Sequence, residues 1–309
     1  MDEPNVIDSL PVDRAVGALV GTFTGDALGM PFEGRHLSDI PVEPEMIEAR
    51  RGRGTYTDDT QMMIALAESL LDGDQVDEGR LAQSFLDAFD ADRGYGRGTR
   101  EVFDRWRAGV PVTDAADELF DGEGSRGNGA AMRIAPVAVR FADDPQRLVV
   151  EAARSARLTH THPVGVDAAV VQAAVVGAAL RGDDLLDTAR AAATTAEMRD
   201  AVEVVAELAA TRPDPATVQR QLGSSSDARE SVSASLCAAV CHERFETAVR
   251  FAVRLGGDTD TTAAMTGAIV GARDGAATIP TRWLDALEEG PRGRGYVEQL
   301  AVRLAKAGR

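Results

Sequence analysis

Gly17, Gly21, Gly25 and Gly29 recur every four residues in "GALVGTFTGDALG", and Ala263, Gly267, Gly271 and Gly275 repeat that spacing near the other end of the chain. Residues four apart lie on nearly one face of a helix, so each set makes a stripe bare of side chains. A glycine inside a helix costs up to about 1 kcal/mol relative to alanine, so each stripe needs something to offset it. Close approach of two backbones is the direct candidate. The two helices are therefore expected near the middle of a helical bundle, lying against each other. Asp26, in the first of them, then becomes a buried or half-buried carboxylate that requires hydrogen bonds or a cation.

The rest of the chain reads as helix from end to end. Apolar residues recur at helical spacing in "TQMMIALAESLLDG", "LAQSFLDAF", "VDAAVVQAAVVGAALRGDD", "MRDAVEVVAELAA" and "RFETAVRFAVRL". Strand-like alternation with turn dipeptides is scarce, and short Asp/Gly/Pro connections separate the helices. This predicts an all-α, bundle-like domain and not a βαβ array. No composition shift marks a linker within the 309 residues, so one domain over 1–309 is expected. The stretch 223–231, "GSSSDARES", is the most linker-like piece and suits a surface loop as well as a hinge.

Charge narrows the partners. The chain carries 33 basic and 50 acidic residues, a net charge of −17, and its single lysine is Lys306. Phosphate backbones need a basic face, so nucleic acid is not expected as a partner, whereas a metal cation is a natural guest. Abundant Asp with almost no Lys fits either a high-salt cytoplasm or a high-GC genome. The stretch 1–10 lacks the basic and apolar regions of a secretory signal, and no apolar run reaches the roughly 20 residues of a membrane span. A cytoplasmic protein without membrane attachment is expected. Cys237 and Cys241, one helical turn apart, are expected as core thiols; a metal site shared with His242 is the lesser alternative.

Two acidic clusters stand just before apolar helices: "YTDDTQ" at 56–61, and "GGDTDTT" at 256–262. Each has a plain explanation. Thr57 as an N-cap, with Asp58 and Asp59 in the first turn, would stabilise one helix, and Asp258 or Thr259 would cap the other. Capping, however, uses one side-chain oxygen where each cluster presents several, and neither has the glutamate of a capping box. Asp258 and Asp260, two apart, do not share a helix face. They converge only if the chain turns there, and Gly256-Gly257 supplies that freedom. Two such turns brought together offer four carboxylates and threonine hydroxyls, a hard-oxygen set suited to Mg²⁺ or Mn²⁺ and better to two ions than one. Zinc is disfavoured for want of Cys or His beside them. "DTDTT" also matches the nucleophile motif of aspartate-dependent phosphatases, but it follows a helical pattern close to the C-terminus, where no room remains for the βα units that motif needs.

Five blocks, "GALVGTFTGDALGMPFEG", "YTDDTQM", "GNGAAMRIAPVA", "LTHTHP" and "LGGDTDTTAAMTGAIVGA", together resemble the ADP-ribosylglycohydrolase family, including its dinitrogenase reductase-activating members. The resemblance spans about 17–272 and implies a compact orthogonal bundle of helices with a two-magnesium centre. It implies hydrolysis of the bond between ADP-ribose C1″ and an acceptor, such as an ADP-ribosylated protein side chain or a related adduct. By that resemblance Thr57, Asp58 and Asp59 bind metal from one side and Asp258, Asp260 and Thr261 close the site from the other. Glu33 matches a glutamate that approaches the scissile ribose and serves in acid–base work, its alternative being a solvated loop acid; Asp58 is the other catalytic candidate. "SRGNGAAMR" is similar to the family's phosphate-binding loop, in which Gly127, Asn128 and Gly129 present backbone N–H groups to the diphosphate and Ser125 adds a hydroxyl. His160 matches a histidine near ADP-ribose; the alternatives are a helix-end histidine or a His-x-His metal pair with His162. The segment "DADRGYGRGT" departs from the family pattern, and Asp90, Asp92 and Glu101 do not align with the acidic acceptor contact of some relatives. A binding protein that keeps the pocket without turnover is the rival reading. Loss of an acidic ligand would favour it, and all six expected ligand positions are filled.

Overall fold

The computed structural model describes residues 12–308; the acidic stretch 1–10 lies outside them. Fifteen α-helices follow one another among the described residues: α1 (Val12–Gly29), α2 (Asp58–Ser69), α3 (Glu78–Ala88), α4 (Arg97–Arg107), α5 (Ala135–Arg140), α6 (Pro145–Arg157), α7 (Pro163–Arg181), α8 (Leu185–Ala192), α9 (Ala196–Ala209), α10 (Pro215–Leu222), α11 (Ala228–Cys241), α12 (Phe245–Val253), α13 (Thr259–Asp274), α14 (Thr281–Leu284) and α15 (Arg294–Ala307). No strand forms among them; the one β-bridge pairs Gly127 with Asp227. The fold is all-α, as the periodicity predicts.

Helices α1 and α13 lie against each other, antiparallel, at the centre of the bundle. A Cβ added at Gly17, Gly21 or Gly25 would stand 2.1, 2.2 or 2.0 Å from the carbonyl oxygen of Gly271, Gly267 or Ala263 respectively. Only glycine permits that approach, which is the compensation the stripes require. The second stripe is shifted from its predicted register at one end. Gly275 is the C-cap of α13 with φ +86°, and the fourth contact of α1 is Gly29 against Thr259. The buried hydroxyls of Thr22 and Thr24 donate to the carbonyls of Ala18 and Val20 at 2.9 and 2.7 Å, so α1 buries polar side chains without orphaning them.

Helix α13 also packs on α7, α11 and α12. By length and composition α7 is apolar enough to cross a membrane, contrary to the sequence expectation, but 94% of its apolar window is buried inside the protein. Cys237 and Cys241 are free thiols with sulfurs 3.8 Å apart, the His242 ring pairs with the Ala238 carbonyl at 3.0 Å, and among the described residues the three form no group that could hold a metal ion. The segment 223–231 is a surface loop at 223–227, with Ser225 and Ser226 exposed, that runs into α11 and is pinned by its backbone. Its Ser224 and Ser226 carbonyls accept the N–H groups of Asp258 and Asn128 at 2.8 and 3.0 Å, which ties together the two loops that build the site.

Candidate active site

The α1–α13 contact runs directly into a cavity of about 850 Å³, and the twelve residues that the family resemblance assigns to catalysis, metal or substrate lie on its wall: Glu33, Thr57, Asp58, Asp59, Ser125, Gly127, Asn128, Gly129, His160, Asp258, Asp260 and Thr261. Gly29 ends α1 so close to α13 that a Cβ there would be 2.6 Å from the Asp260 Cα. The turn that follows carries Glu33. That turn is stitched to the mouth of α13 by Gly34 N–H to the Gly257 carbonyl (2.8 Å) and Gly257 N–H to the Arg35 carbonyl (3.0 Å).

The N-termini of α2 and α13 present the acidic residues, each in its own way. Thr57 caps α2, its hydroxyl accepting the Asp59 N–H at 3.2 Å, so the capping explanation holds for Thr57 and leaves Asp58 and Asp59 without that duty. At α13 the N-cap Asp258 makes no side-chain capping bond. The left-handed pair Gly256 and Gly257 (φ +72° and +69°) turns the chain as the sequence requires, and a Cβ on Gly257 would collide with the Ser224 carbonyl at 2.1 Å. The Asp258 carboxylate instead accepts from the Asn128 side chain at 2.7 Å. Thr261 donates its backbone N–H to Asp260 at 3.0 Å.

Behind this wall Asp26 is fully buried and accepts the Thr57 N–H at 3.1 Å, the Thr60 N–H at 3.1 Å and the Thr60 hydroxyl at 2.5 Å. It thereby fixes the entry of α2. Burial pushes the Asp26 carboxyl up to about 6 despite these bonds. Burial, then the neighbouring Asp26, pushes Asp58 up to about 8. Asp59 and Asp260 are raised well above the usual carboxylate range, by burial first and then by Asp26 and Asp58 for the one and Asp258 and Asp59 for the other. These carboxylates repel one another, and Asp59 Oδ2 is buried with no hydrogen-bond partner among the described residues. Positive charge between them relieves both penalties. Among the described residues no three Asp, Glu, His or Cys side chains close in tightly enough to cage an ion unaided. Magnesium does not need such a cage, because it keeps several waters and takes one or two carboxylates. The donor set thus fits hydrated Mg²⁺ or Mn²⁺.

The glycine loop differs from its expected form. Gly127 N–H donates to the Ser125 hydroxyl at 3.2 Å and Asn128 N–H to the Ser226 carbonyl at 3.0 Å, so both amides are engaged within the protein, while the Ser125 hydroxyl, an acceptor here, keeps its hydrogen for a ligand. Of the three amides, that of Gly129 alone has no such partner among the described residues. Glu33 stands exposed at the cavity mouth, and its carboxyl is raised by partial burial and then by Asp258, with Arg50 opposing. His160 is buried at the C-terminal end of α6 with its ring on the cavity wall, so it is both the helix-end and the pocket histidine. His162 Nδ1 accepts the Val164 N–H at 3.1 Å as the cap of α7, and the residue does not line the cavity; among the described residues it joins no group of three possible metal ligands.

A family model described as ADP-ribosylglycohydrolase matches residues 8–309. The chain belongs to the ADP-ribosylglycohydrolase family. It is 33% identical over 320 residues to the ADP-ribosylhydrolase ARH3 of Xenopus tropicalis, covering 88% of this chain and 90% of that protein. To the ADP-ribosyl-[dinitrogen reductase] glycohydrolase of Rhodospirillum rubrum it is 28% identical over 288 residues, covering 89% and 90%. A solved structure titled "ADP-ribosylglycohydrolase-related protein complex" superposes with a TM-score of 0.81 at 32% identity, covering 96% of this chain and 99% of that one.

Several residues that shape this cavity carry no local sequence signal. Arg93 stacks 3.8 Å above the Tyr56 ring, donates to the Tyr56 carbonyl at 2.7 Å and pairs with Glu288 at 2.9 Å, bracing the chain just before Thr57. Gly94, left-handed at φ +102°, lets the backbone pass over Asp58, where a Cβ would be 3.4 Å from Oδ1. Asp90, left unaligned in the sequence, caps the short turn at 91–93 and pairs with Arg51 at 3.1 Å. Glu101 pairs with Arg105 at 3.0 Å, whereas Asp92 lines the cavity.

Proposed function

We propose that this chain is a metal-dependent hydrolase that cleaves the glycosidic bond between C1″ of ADP-ribose and an acceptor carried by a modified protein side chain or a related adduct. Its family membership and its likeness to named ADP-ribosylhydrolases support the reaction class. The observation that carries the reading is the meeting of Asp58 and Asp59 with Asp258 and Asp260 at one cavity wall, with Asp59 Oδ2 buried and unpartnered. Thr57, Asp58 and Asp59 would hold two Mg²⁺ (or Mn²⁺) from one side, and Asp258, Asp260 and Thr261 from the other. When bound, such ions supply Lewis-acid polarisation and fix hydroxyl-bearing substrates in place.

The chain's own groups do the rest. The lining divides two tasks: the 125–129 loop and His160 receive the diphosphate, and the acidic wall receives the ribose being cleaved. Departure of the acceptor builds oxocarbenium-like charge at C1″, which nearby carboxylates stabilise. Glu33, at the mouth and with its proton affinity raised, is placed to move a proton, taking one from the attacking water or giving one to the leaving acceptor. Asp58, on the same wall, is the alternative proton carrier. Asn128 holds Asp258 in a fixed rotamer through the 2.7 Å bond and so orients the wall.

The test is a panel of ADP-ribose adducts linked through arginine, serine, O-acetyl and nucleobase acceptors, with free ADP-ribose measured by chromatography. Release from at least one acceptor is expected in Mg²⁺, with loss on exhaustive chelation and return on adding Mg²⁺ or Mn²⁺. Tight binding of ADP-ribose with no release from any acceptor would replace hydrolysis with a binding role.

A further inference from the structure

Arg133 is fully buried, an expensive position for a guanidinium unless its hydrogen bonds are met. Its charge lies 4.7 Å above the Phe85 ring, and Nη2 donates to the Ser155 carbonyl at 3.2 Å and to the Thr159 hydroxyl at 2.8 Å. The Thr159 oxygen in turn lies 2.8 Å from His160 Nδ1. The opposite edge of the imidazole faces the glycine loop. A Cβ on Gly129 would be 3.3 Å from Nε2, and one on Gly127 3.7 Å from it. Three side chains thus run from the core to the cavity in one hydrogen-bonded line.

Accounting for hydrogens sets the direction of that line. Arginine has donors only, so the Thr159 oxygen accepts from Arg133. Thr159 is 1% exposed, and among the described residues its hydroxyl hydrogen has no acceptor other than His160 Nδ1. A proton on Nδ1 would leave that hydroxyl hydrogen buried and unbonded, which is costly. Nδ1 is therefore the acceptor, and the single ring proton sits on Nε2.

We propose that Arg133 and Thr159 are positioning residues that hold His160 in the neutral Nε2–H form, so that Nε2–H donates to a diphosphate oxygen of a ligand lying on the 127–129 loop. The loop itself explains the need. Its Gly127 and Asn128 amides are turned into the protein, and His160 supplies a donor that they do not. Burial and the Arg133 charge push the imidazole down to about 3, so the ring stays neutral, and Arg133, although lowered to about 9 by burial, keeps its charge at neutral pH. A neutral donor in a fixed tautomer gives a directional bond at the same place at every working pH.

This inference rests on the reading that the cavity takes ADP-ribose, and the test separates the two. Long-range ¹⁵N–¹H NMR of the ligand-free full chain reports the tautomer of each of the four histidines, and His160→Gln identifies the His160 signals. The expected result is an unprotonated Nδ1 and a protonated Nε2 for His160. Thr159→Val keeps the side-chain volume but removes the relay; His160 should become a tautomer mixture and ADP-ribose affinity, read by calorimetry, should fall about tenfold, as for loss of a bond to a charged group. Thr159→Ser should restore both. Because glutamine can place an N–H where Nε2 stands and asparagine cannot reach, His160→Gln should bind ADP-ribose better than His160→Asn. Protonation of Nδ1 in the wild type, or a Thr159→Val variant with unchanged tautomer and unchanged affinity, overturns the proposal. The expected tautomer together with no ADP-ribose binding by the wild type supports the relay and overturns the functional reading.

Discussion

Gly21→Ala puts a Cβ 2.2 Å from the Gly267 carbonyl oxygen and 2.8 Å from its carbon, about 1.2 Å inside the 3.4 Å at which ordinary contact begins. The obstacle is backbone, so no side-chain rotamer relieves it. Local pivoting is blocked as well, because the same helices touch through Gly17–Gly271 on one side and Gly25–Ala263 on the other. The pair must separate along its length, and a gap of 0.5–1 Å already forfeits about a quarter to a half of each contact well. Overpacking alone costs about 1–3 kcal/mol, and the loosened stripe moves the expected loss to about 3–5 kcal/mol. The roughly 1 kcal/mol that alanine gains in a helix does not offset it. At about 2 °C per kcal/mol for a chain of this size, thermal unfolding followed by circular dichroism should occur about 5–10 °C lower. Gly79→Ala is the control. Gly79 is exposed in α3, with nothing nearer to an added Cβ than an Asp77 oxygen at 3.6 Å, so it should be neutral or slightly stabilising. If Gly21→Ala melted with the wild type, the two stripes would not be in contact and the reasoning would fail.

Asp59→Asn and Asp258→Asn should each lose at least about 100-fold in turnover while remaining folded, since an amide is a poor ligand for a hard cation. Thr57→Val should lower stability by about 1 kcal/mol through loss of the 3.2 Å cap and should lower turnover as well, since the same hydroxyl is a proposed metal donor. Near-wild-type turnover by either Asn variant would remove that carboxylate from the metal assignment. In the fold Asp26 and Asp58 are pushed up to about 6 and about 8, against about 3.9 in the unfolded chain, so the native state binds more protons between roughly pH 4 and 8. The stability of metal-free protein should therefore fall as pH rises through that window, and Mg²⁺ should raise the melting temperature more at pH 8 than at pH 5. A chelated sample that grew more stable with rising pH would contradict the cluster's electrostatics. Glu33→Gln should slow hydrolysis by about 10²–10⁴-fold with little change in ADP-ribose affinity; equal rates would shift the proton transfer to Asp58.

Much of this molecule was legible without coordinates, because helices, caps and turns are written in residues a few positions apart. The apolar period placed α2, α3, α7, α9 and α12, Thr57 marked the start of α2, and Gly256-Gly257 marked the turn into α13. The glycine stripes also made a long-range contact readable, since a row of missing side chains in one helix is costly unless a second backbone fills it. Their exact register was not readable, and Gly275 fell to a C-cap instead. Tertiary structure alone decided which distant loops share the cavity. Asn128 meets Asp258 130 residues away and Arg93 meets Glu288 195 residues away, and the linker-like 223–231 segment ties down the loop bearing the Gly127 and Asn128 amides through the Asn128 N–H and the Arg126 carbonyl. It also turned those amides inward, where a glycine-rich motif by itself suggests they point at the ligand. Local sequence sets each helix and its ends, but the direction in which a loop's donors face depends on what packs behind it, and no period of two or 3.6 residues encodes that neighbour.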